Sequence, residues 1–219
     1  MEKGDFVLLE MEGRDSSGQT FDSTKGETAK SLHGKEGPMF IIYGYAVMVK
    51  GINDALGRMK EGESLSIALE PKDAFGDKAP EKIKVYPVLE FIKAGYKSLA
   101  PGMVMVINVP TGKLTGTIKS ISNGRVTVDF NHPLAGKKVF YDLKVAKVIR
   151  DMGEKVSKLC EMLSIVASSI VNENEKKIIV IVKEDKEGNK GVLYSNLELL
   201  FPGYKREIND AVGKDKGTA

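Results

Sequence analysis

The side chains that most often perform covalent chemistry are scarce in this chain and lie far apart. It has two histidines, His33 and His132, and one cysteine, Cys160, among 219 residues. Neither histidine has a second ligand at metal-binding spacing, and no GxSxG, HExxH, P-loop or GxGxxG motif is present. Hydrolysis, phosphoryl transfer and hydride transfer lack their usual residues, so we expect neither a metal nor a cofactor.

The residues that do indicate a site are apolar and rich in glycine. The stretch GYAVMVKGINDALGRMKEGES, Gly44 to Ser64, places glycines around an apolar strand end and then a short helix. Earlier in the chain, FDST (21–24) ends a strand, so Phe21 and Asp22 either line a pocket wall or start a turn. Such residues can bind and orient a ligand, but they supply no nucleophile.

Composition limits the class of protein. Hydrophobic residues make up 42% and charged residues 29%, with a net charge of +3, which fits folded cores and does not require an anionic partner. One cysteine excludes an internal disulfide and fits a reducing cytoplasm. We expect no signal peptide in MEKGDFVLLEMEG and no membrane span, because no run of 18 apolar residues occurs.

Periodicity predicts the elements that position these residues. In the first third of the chain it predicts strands over 4–12, QTFDST (19–24), PMFIIYG (38–44) and LSIALEP (65–71). Gly51 opens a helix with an apolar face, and the polar segments 25–37 and 74–82 are expected to be loops. Residues 83–129 are rich in Val, Ile, Gly and Pro, which predicts a small all-β module with strands VMVINV, TGTIKSI and GRVTVDF.

The last third of the chain has a different character, beginning near Asp151. MGEKVSKLCEMLS predicts a helix with Cys160 on its apolar face, which gives the cysteine a packing role. Two strands are expected around the polar turn NENEK, GVLYSNLELLF is either a helix or a strand, and GKDKGTA (213–219) is expected to be a frayed tail.

In order along the chain, these motifs resemble the FKBP family of peptidyl-prolyl isomerases. The pattern G-x6-G-x3-A-L-x2-M-x2-G-E from Gly44 to Glu63 and the run P-x2-A-F-G from Pro71 to Gly76 are typical of it. Members of the SlyD type carry a small β domain after AFG, and residues 87–129 fit it, followed by an N-H-x-L-A-G return sequence. The resemblance covers residues 1–150 and is greatest to the long archaeal type.

The resemblance implies an α+β fold with three parts. An FKBP-type antiparallel β-sheet wrapped on a short helix takes residues 1–86 plus 130–150. A small all-β chaperone domain (87–129) is inserted in it, and an α+β domain (151–219) follows.

The resemblance also places a proline pocket on this sequence. Phe21, Val49, Ile52 and Tyr141 would cup the proline ring, the Val49 N–H would bond a substrate carbonyl, and Asp22 would lie beside the twisting amide. Phe75 stands where the family usually has tyrosine, which removes one hydrogen bond to the substrate. Further substrate-binding positions are Met11, Met39, Ile41 and Met48.

The implied function is a peptidyl-prolyl isomerase, or rotamase, that also binds unfolded chains through its insert. Its partners would be unfolded or partly folded proteins and proline-containing peptides, and a homodimer through the C-terminal domain is an option. A catalytically weak FKBP-like chaperone is one alternative, motivated by Phe75 and Met11. An RNA-binding β module is another, although acidic residues nearly balance its cations and aromatic residues are sparse there. Its candidate cations are Lys113, Lys119, Arg125, Lys137 and Lys138.

Overall fold

The computed structural model describes residues 1–45, 48–109 and 112–211, and within these ranges the strands form three sheets. The predicted tail 213–219 and two residues of the glycine-rich stretch, Ala46 and Val47, lie outside the described residues. None of the helices described in these ranges is long and apolar enough to cross a membrane.

The first sheet is built on two long antiparallel strands, β1 (Phe6–Asp15) and β9 (Val139–Ile149). Strands β2 (Thr20–Ser23) and β3 (Met39–Ile42) pair with β1, and β4 (Ser64–Leu69) pairs with β9. The short helix α2 (Lys50–Leu56) buries its apolar residues against this sheet. The strands and helix that periodicity predicts in the first third of the chain are confirmed.

Residues 25–37 are not a loop throughout, because Gly26–His33 form helix α1. The prediction was wrong because the segment is polar and only Ala29 of the helix is buried. The helix ends at Gly34, which adopts the left-handed conformation (φ 74°) that glycine accepts without strain. The consequence is that His33, the last helical residue, has a defined position.

The second sheet is formed by residues 83–129 and has the order β5 (Ile83–Pro87), β8 (Arg125–Asp129), β7 (Gly112–Ser122), β6 (Val104–Val109). The expectation that residues 87–129 are all β is wrong in one respect, because Val88–Lys93 form helix α3. The segment VLEFIK has four apolar and two charged residues, which are too few for a clear helical period to appear. Phe91 of this helix is buried with Val126 and Val128 in a small core.

The C-terminal unit contains helices α4 (Met152–Met162) and α5 (Lys190–Leu200) and strands β10 (Ile165–Asn172), β11 (Lys177–Asp185) and β12 (Lys205–Asp210). The predicted helix α4 is confirmed, with Cys160 buried in it, and burial raises the pKa of the thiol to about 11. Strand β12 was not predicted, because its sequence KREIND contains one apolar residue.

The C-terminal unit and the first sheet share one hydrophobic core. Phe6 of β1 is 1% exposed, and its ring centroid lies 5.5 Å from that of Phe40 and 5.9 Å from that of Phe201 after α5. Ile149 and Leu159 are buried in the same cluster. The unit therefore covers one face of the sheet while α2 covers the other.

Because Phe6 lies in this shared core, we expect Phe6→Ala to destabilise the protein strongly. Removing a buried phenylalanine should lower the free energy of unfolding by about 3–5 kcal/mol, measured by urea denaturation. Phe140→Ala is the control, because Phe140 is 37% exposed, and it should cost about 1 kcal/mol or less. Equal unfolding midpoints for the two variants would contradict the shared core.

Candidate active site

Three aromatic rings meet beside the core of the first sheet. The ring of Phe21 on β2 lies edge-on to Tyr141 of β9, with centroids 5.6 Å apart, and edge-on to Phe75, with centroids 5.8 Å apart. Edge-to-face packing of this kind is favourable for aromatic rings. Tyr141 is 3% exposed, whereas Phe21 and Phe75 are half-buried and leave part of their apolar surface open to a ligand.

Gly13 of β1 makes this close packing possible. A Cβ atom at this position would lie 2.7 Å from Tyr141 Cε1 and 2.9 Å from Phe21 Cε2. Real Cβ contacts are essentially never that short, so any side chain at this position would displace one ring or both. Gly13 was not recognised from the sequence as part of the site.

The other predicted pocket residues pack around the same core. Met11, Ile41 and Ile52 are buried in it, at 7%, 5% and 2% exposure, and offer a ligand little surface. Among the predicted pocket residues, Met39, Met48 and Val49 are half-buried, pack against this core and are more accessible to a ligand. The structure thus brings the predicted apolar residues together, and their contact with a substrate stays a prediction.

Asp22 forms a hydrogen bond with His33, a residue that the sequence did not connect with the site. Its Oδ1 lies 2.8 Å from His33 Nε2, and the side chains of Asp22 and His33 are 23% and 29% exposed. Because His33 was placed in a predicted loop, no sequence signal linked it to Asp22. The charge of Asp22 also acts on Tyr141. Burial, and secondarily the Asp22 charge, raises the pKa of Tyr141 to about 12, so the phenol keeps its proton at neutral pH.

Both histidines line one cavity, although they are far apart in sequence. This cavity of about 610 Å³ opens beside Phe21, Asp22 and Phe75, with His33 and His132 also in its wall. The imidazole of His132 stacks on the Phe75 ring, with centroids 4.4 Å apart and planes within 1°. In the part of the chain that the structure describes, no group of three or more His, Cys, Asp or Glu side chains is placed to hold a metal ion.

Comparison with known proteins gives two family matches. Residues 1–92 match the family described as FKBP-type peptidyl-prolyl cis-trans isomerase, and residues 84–134 match one described as FKBP26, IF domain. The FKBP-type 16 kDa peptidyl-prolyl cis-trans isomerase of Escherichia coli K12 is 34% identical over 124 residues, covering 56% of this chain and 82% of that protein. This chain belongs to the FKBP-type peptidyl-prolyl cis-trans isomerase family.

Two further relatives in this FKBP family extend the comparison. The short-type peptidyl-prolyl cis-trans isomerase of Methanocaldococcus jannaschii is 26% identical over 157 residues, covering 68% of this chain and 94% of that protein. An FKBP-type isomerase named SlyD from Pasteurella multocida is 26% identical over 108 residues, covering 49% and 53%. The antiparallel sheet packed on α2 is therefore an FKBP fold.

Gly13→Ala should damage the aromatic cluster more than the fold. Forcing the rings of Phe21 and Tyr141 apart should cost about 1–3 kcal/mol of stability and lower kcat/KM for a proline peptide by about tenfold or more. Gly191→Ala is the matched control, because open space surrounds that position in α5. It should leave kcat/KM unchanged and add about 0.5–1 kcal/mol of stability. Full activity in Gly13→Ala would contradict the pocket.

Proposed function

We propose that this FKBP-family protein accelerates the cis–trans isomerisation of X–Pro bonds in unfolded or partly folded proteins, and that its insert holds those chains. We also propose that it is of the SlyD-like, long archaeal type. The three-part division, with the insert as a chaperone domain over 87–129, is part of this proposal. A cytoplasmic location stays a prediction that rests on cysteine usage.

The proposed catalysis needs no reactive group. Rotation about a peptide bond has a barrier of about 18–20 kcal/mol, and the X–Pro bond is the one that commonly occupies both isomers. Twisting removes amide resonance and makes the group less polar, so an apolar pocket binds the twisted amide better than the planar one. Differential binding of this kind is what lowers a barrier.

The observation that supports this mechanism best is an apolar aromatic cluster with a fixed carboxylate at its side. In the proposal, Phe21 and Val49 contact the proline ring, and the Val49 N–H bonds a substrate carbonyl. Tyr141 and Ile52, at 3% and 2% exposure, complete the cup mainly by packing behind these two residues. Asp22, held by His33 at 2.8 Å, lies beside the twisting amide and orients it. Because this hydrogen bond orients the carboxylate before the substrate arrives, less reorganisation is needed during rotation.

The proposed chaperone surface is the outer face of the insert sheet. Val104 and Val106 on β6 are 62% and 48% exposed, and Val85 on β5 is 56% exposed. Residues that pair directly across neighbouring strands point to the same face of a sheet. Val104 pairs with Thr117, Thr117 with Asp129, and Asp129 with Ile83. Val104 and Ile83, which is 41% exposed, therefore share one face. Exposed apolar patches mark binding surfaces, and a held chain presents its prolines to the pocket at high effective concentration.

The structure weakens the RNA-binding alternative. Of the five proposed cations, Lys119, Lys137 and Lys138 each lie within 4 Å of a carboxylate, on Asp129, Asp15 and Glu70 respectively. Cations already paired with carboxylates have less charge to offer a phosphate backbone. A homodimer through residues 151–219 stays a prediction, and Val166 and Ile170 of β10 are exposed apolar residues in that region.

Phe21→Ala tests the catalytic half of the proposal. Losing the apolar contact of this ring with proline, worth about 1.5 kcal/mol when a side chain is buried, should lower kcat/KM about tenfold. The assay is refolding of a protein limited by one X–Pro isomerisation, and Phe140→Ala is the control outside the cluster. Wild type that suppresses aggregation without accelerating refolding would favour the catalytically weak chaperone instead.

Val104→Thr with Val106→Thr tests the chaperone half. These changes keep β-branched shapes but remove apolar surface, so refolding of a whole protein should slow severalfold while isomerisation of a short peptide is unchanged. Val192→Thr, at a residue of α5 with similar exposure (48%), is the matched control. Equal effects on protein and peptide would contradict a holding role for the insert.

A further inference from the structure

The carboxylate of Asp22 and the imidazole of His33 form a hydrogen-bonded pair in the wall of the cavity. Asp22 Oδ1 lies 2.8 Å from His33 Nε2, and the two side chains are 23% and 29% exposed. A carboxylate can only accept hydrogen bonds, so the neutral His33 ring carries its proton on Nε2 in order to donate to it. When the ring takes up a second proton, the hydrogen bond becomes an ion pair and the pair as a whole loses its negative charge.

The backbone between β2 and β3 fixes the position of His33. Gly34 ends helix α1 in the left-handed conformation directly after His33. Farther along, the Gly37 N–H donates to the Thr24 carbonyl at 2.9 Å, which closes the segment on itself at the end of β2. Ala29 of the same helix is fully buried. The imidazole therefore reaches Asp22 from a segment that is already ordered, which reduces the entropy cost of the hydrogen bond.

The other ionisable side chains around His33 determine which group responds to pH. His33 lines the cavity of about 610 Å³ and also a second cavity of about 220 Å³ beside α4. Among the described residues, the ionisable side chains in these two walls, besides His33, are Asp15, Asp22, Lys35, His132, Lys137, Lys158 and Glu161.

Histidine is the side-chain type in these walls that ordinarily changes its charge between about pH 5 and 8. Lys137 lies 3.8 Å from Asp15, and Lys158 lies 2.6 Å from Glu161, so these charges offset one another in pairs. Burial lowers the pKa of His132, so that ring takes up a proton at a lower pH than an ordinary histidine. We therefore expect His33 to control the charge beside Asp22 in this range.

The charge of the pair matters for the amide that twists. In the planar prolyl amide the nitrogen lone pair donates electrons to the carbonyl carbon, and twisting withdraws them, so this carbon becomes more electron-poor. A negative charge fixed beside it is therefore more favourable in the twisted state than in the planar state. A neutral imidazole fixes the Asp22 carboxylate and leaves its charge intact, whereas an imidazolium offsets that charge.

We propose that His33 is a positioning residue of the isomerase: its Nε2–H holds the Asp22 carboxylate beside the prolyl amide, and protonation of the ring offsets the carboxylate charge and slows rotation. This inference rests on the proposed isomerase function. Because the carboxylate acts on the twisted state, the effect falls on kcat, and the KM of a proline peptide changes little. The value of kcat therefore falls severalfold as the pH is lowered from about 8 to 5.

Two variants separate the holding of the carboxylate from the change in its charge. His33→Leu removes the donor, and kcat at about pH 8 should drop about 3- to 10-fold, the equivalent of one hydrogen bond. His33→Gln places an amide N–H near the position of Nε2 and does not titrate, so it should recover part of this loss and give a kcat that is independent of pH. Glu27→Gln, at an 89% exposed side chain of the same helix, is the matched control and should keep the wild-type pH profile.

A titration of the wild type makes the test independent of variant folding. With a peptide that has no group titrating in this range, the ¹⁵N NMR signals of the His33 ring should move with the same midpoint as kcat. A wild-type kcat that stays constant between about pH 5 and 8, or that falls equally in His33→Gln, would overturn the role of His33 and leave the isomerase proposal intact. A wild type without isomerase activity at any pH would overturn both.

Discussion

The two-residue alternation of strand β1 is the constraint on which the rest of the structure depends. Successive side chains of a strand point to opposite faces, so Val7 and Leu9 enter the core beneath α2, whereas Phe6 and Leu8 pack against the C-terminal unit. Farther along the first face, Gly13 leaves the space into which the aromatic rings pack. A one-residue slip of this strand would exchange both cores and fill that space.

Much of this arrangement could be predicted from local pattern. The face of β1 that carries Phe6 and Leu8 continues with Glu10 and Glu12. The C-terminal unit covers only the apolar part of this face. The helices α1 and α3 could not be predicted in the same way. Helix α1 buries a single alanine, and α3 is too short for a helical period to appear, so tertiary contacts decide both.

The aromatic cluster was predictable because motifs carry its residues, whereas the cavity wall beside it was not. Phe21, Phe75 and Tyr141 were placed through family motifs, and the structure brings their rings together. His33 and His132 were set aside because they lack ligand spacing, yet β-sheet pairing and the return from the insert bring both to one cavity. Long-range contacts of this kind leave no period and no spacing in a single sequence.

The central claim is that a pocket without nucleophile or metal catalyses rotation about the X–Pro bond. The most direct test is NMR exchange spectroscopy on a proline peptide with a catalytic amount of the wild-type chain. Uncatalysed exchange takes tens of seconds or longer, so the account predicts cis–trans cross-peaks at sub-second mixing times only when the protein is present. Peptide signals that shift on binding but show no cross-peaks would contradict it.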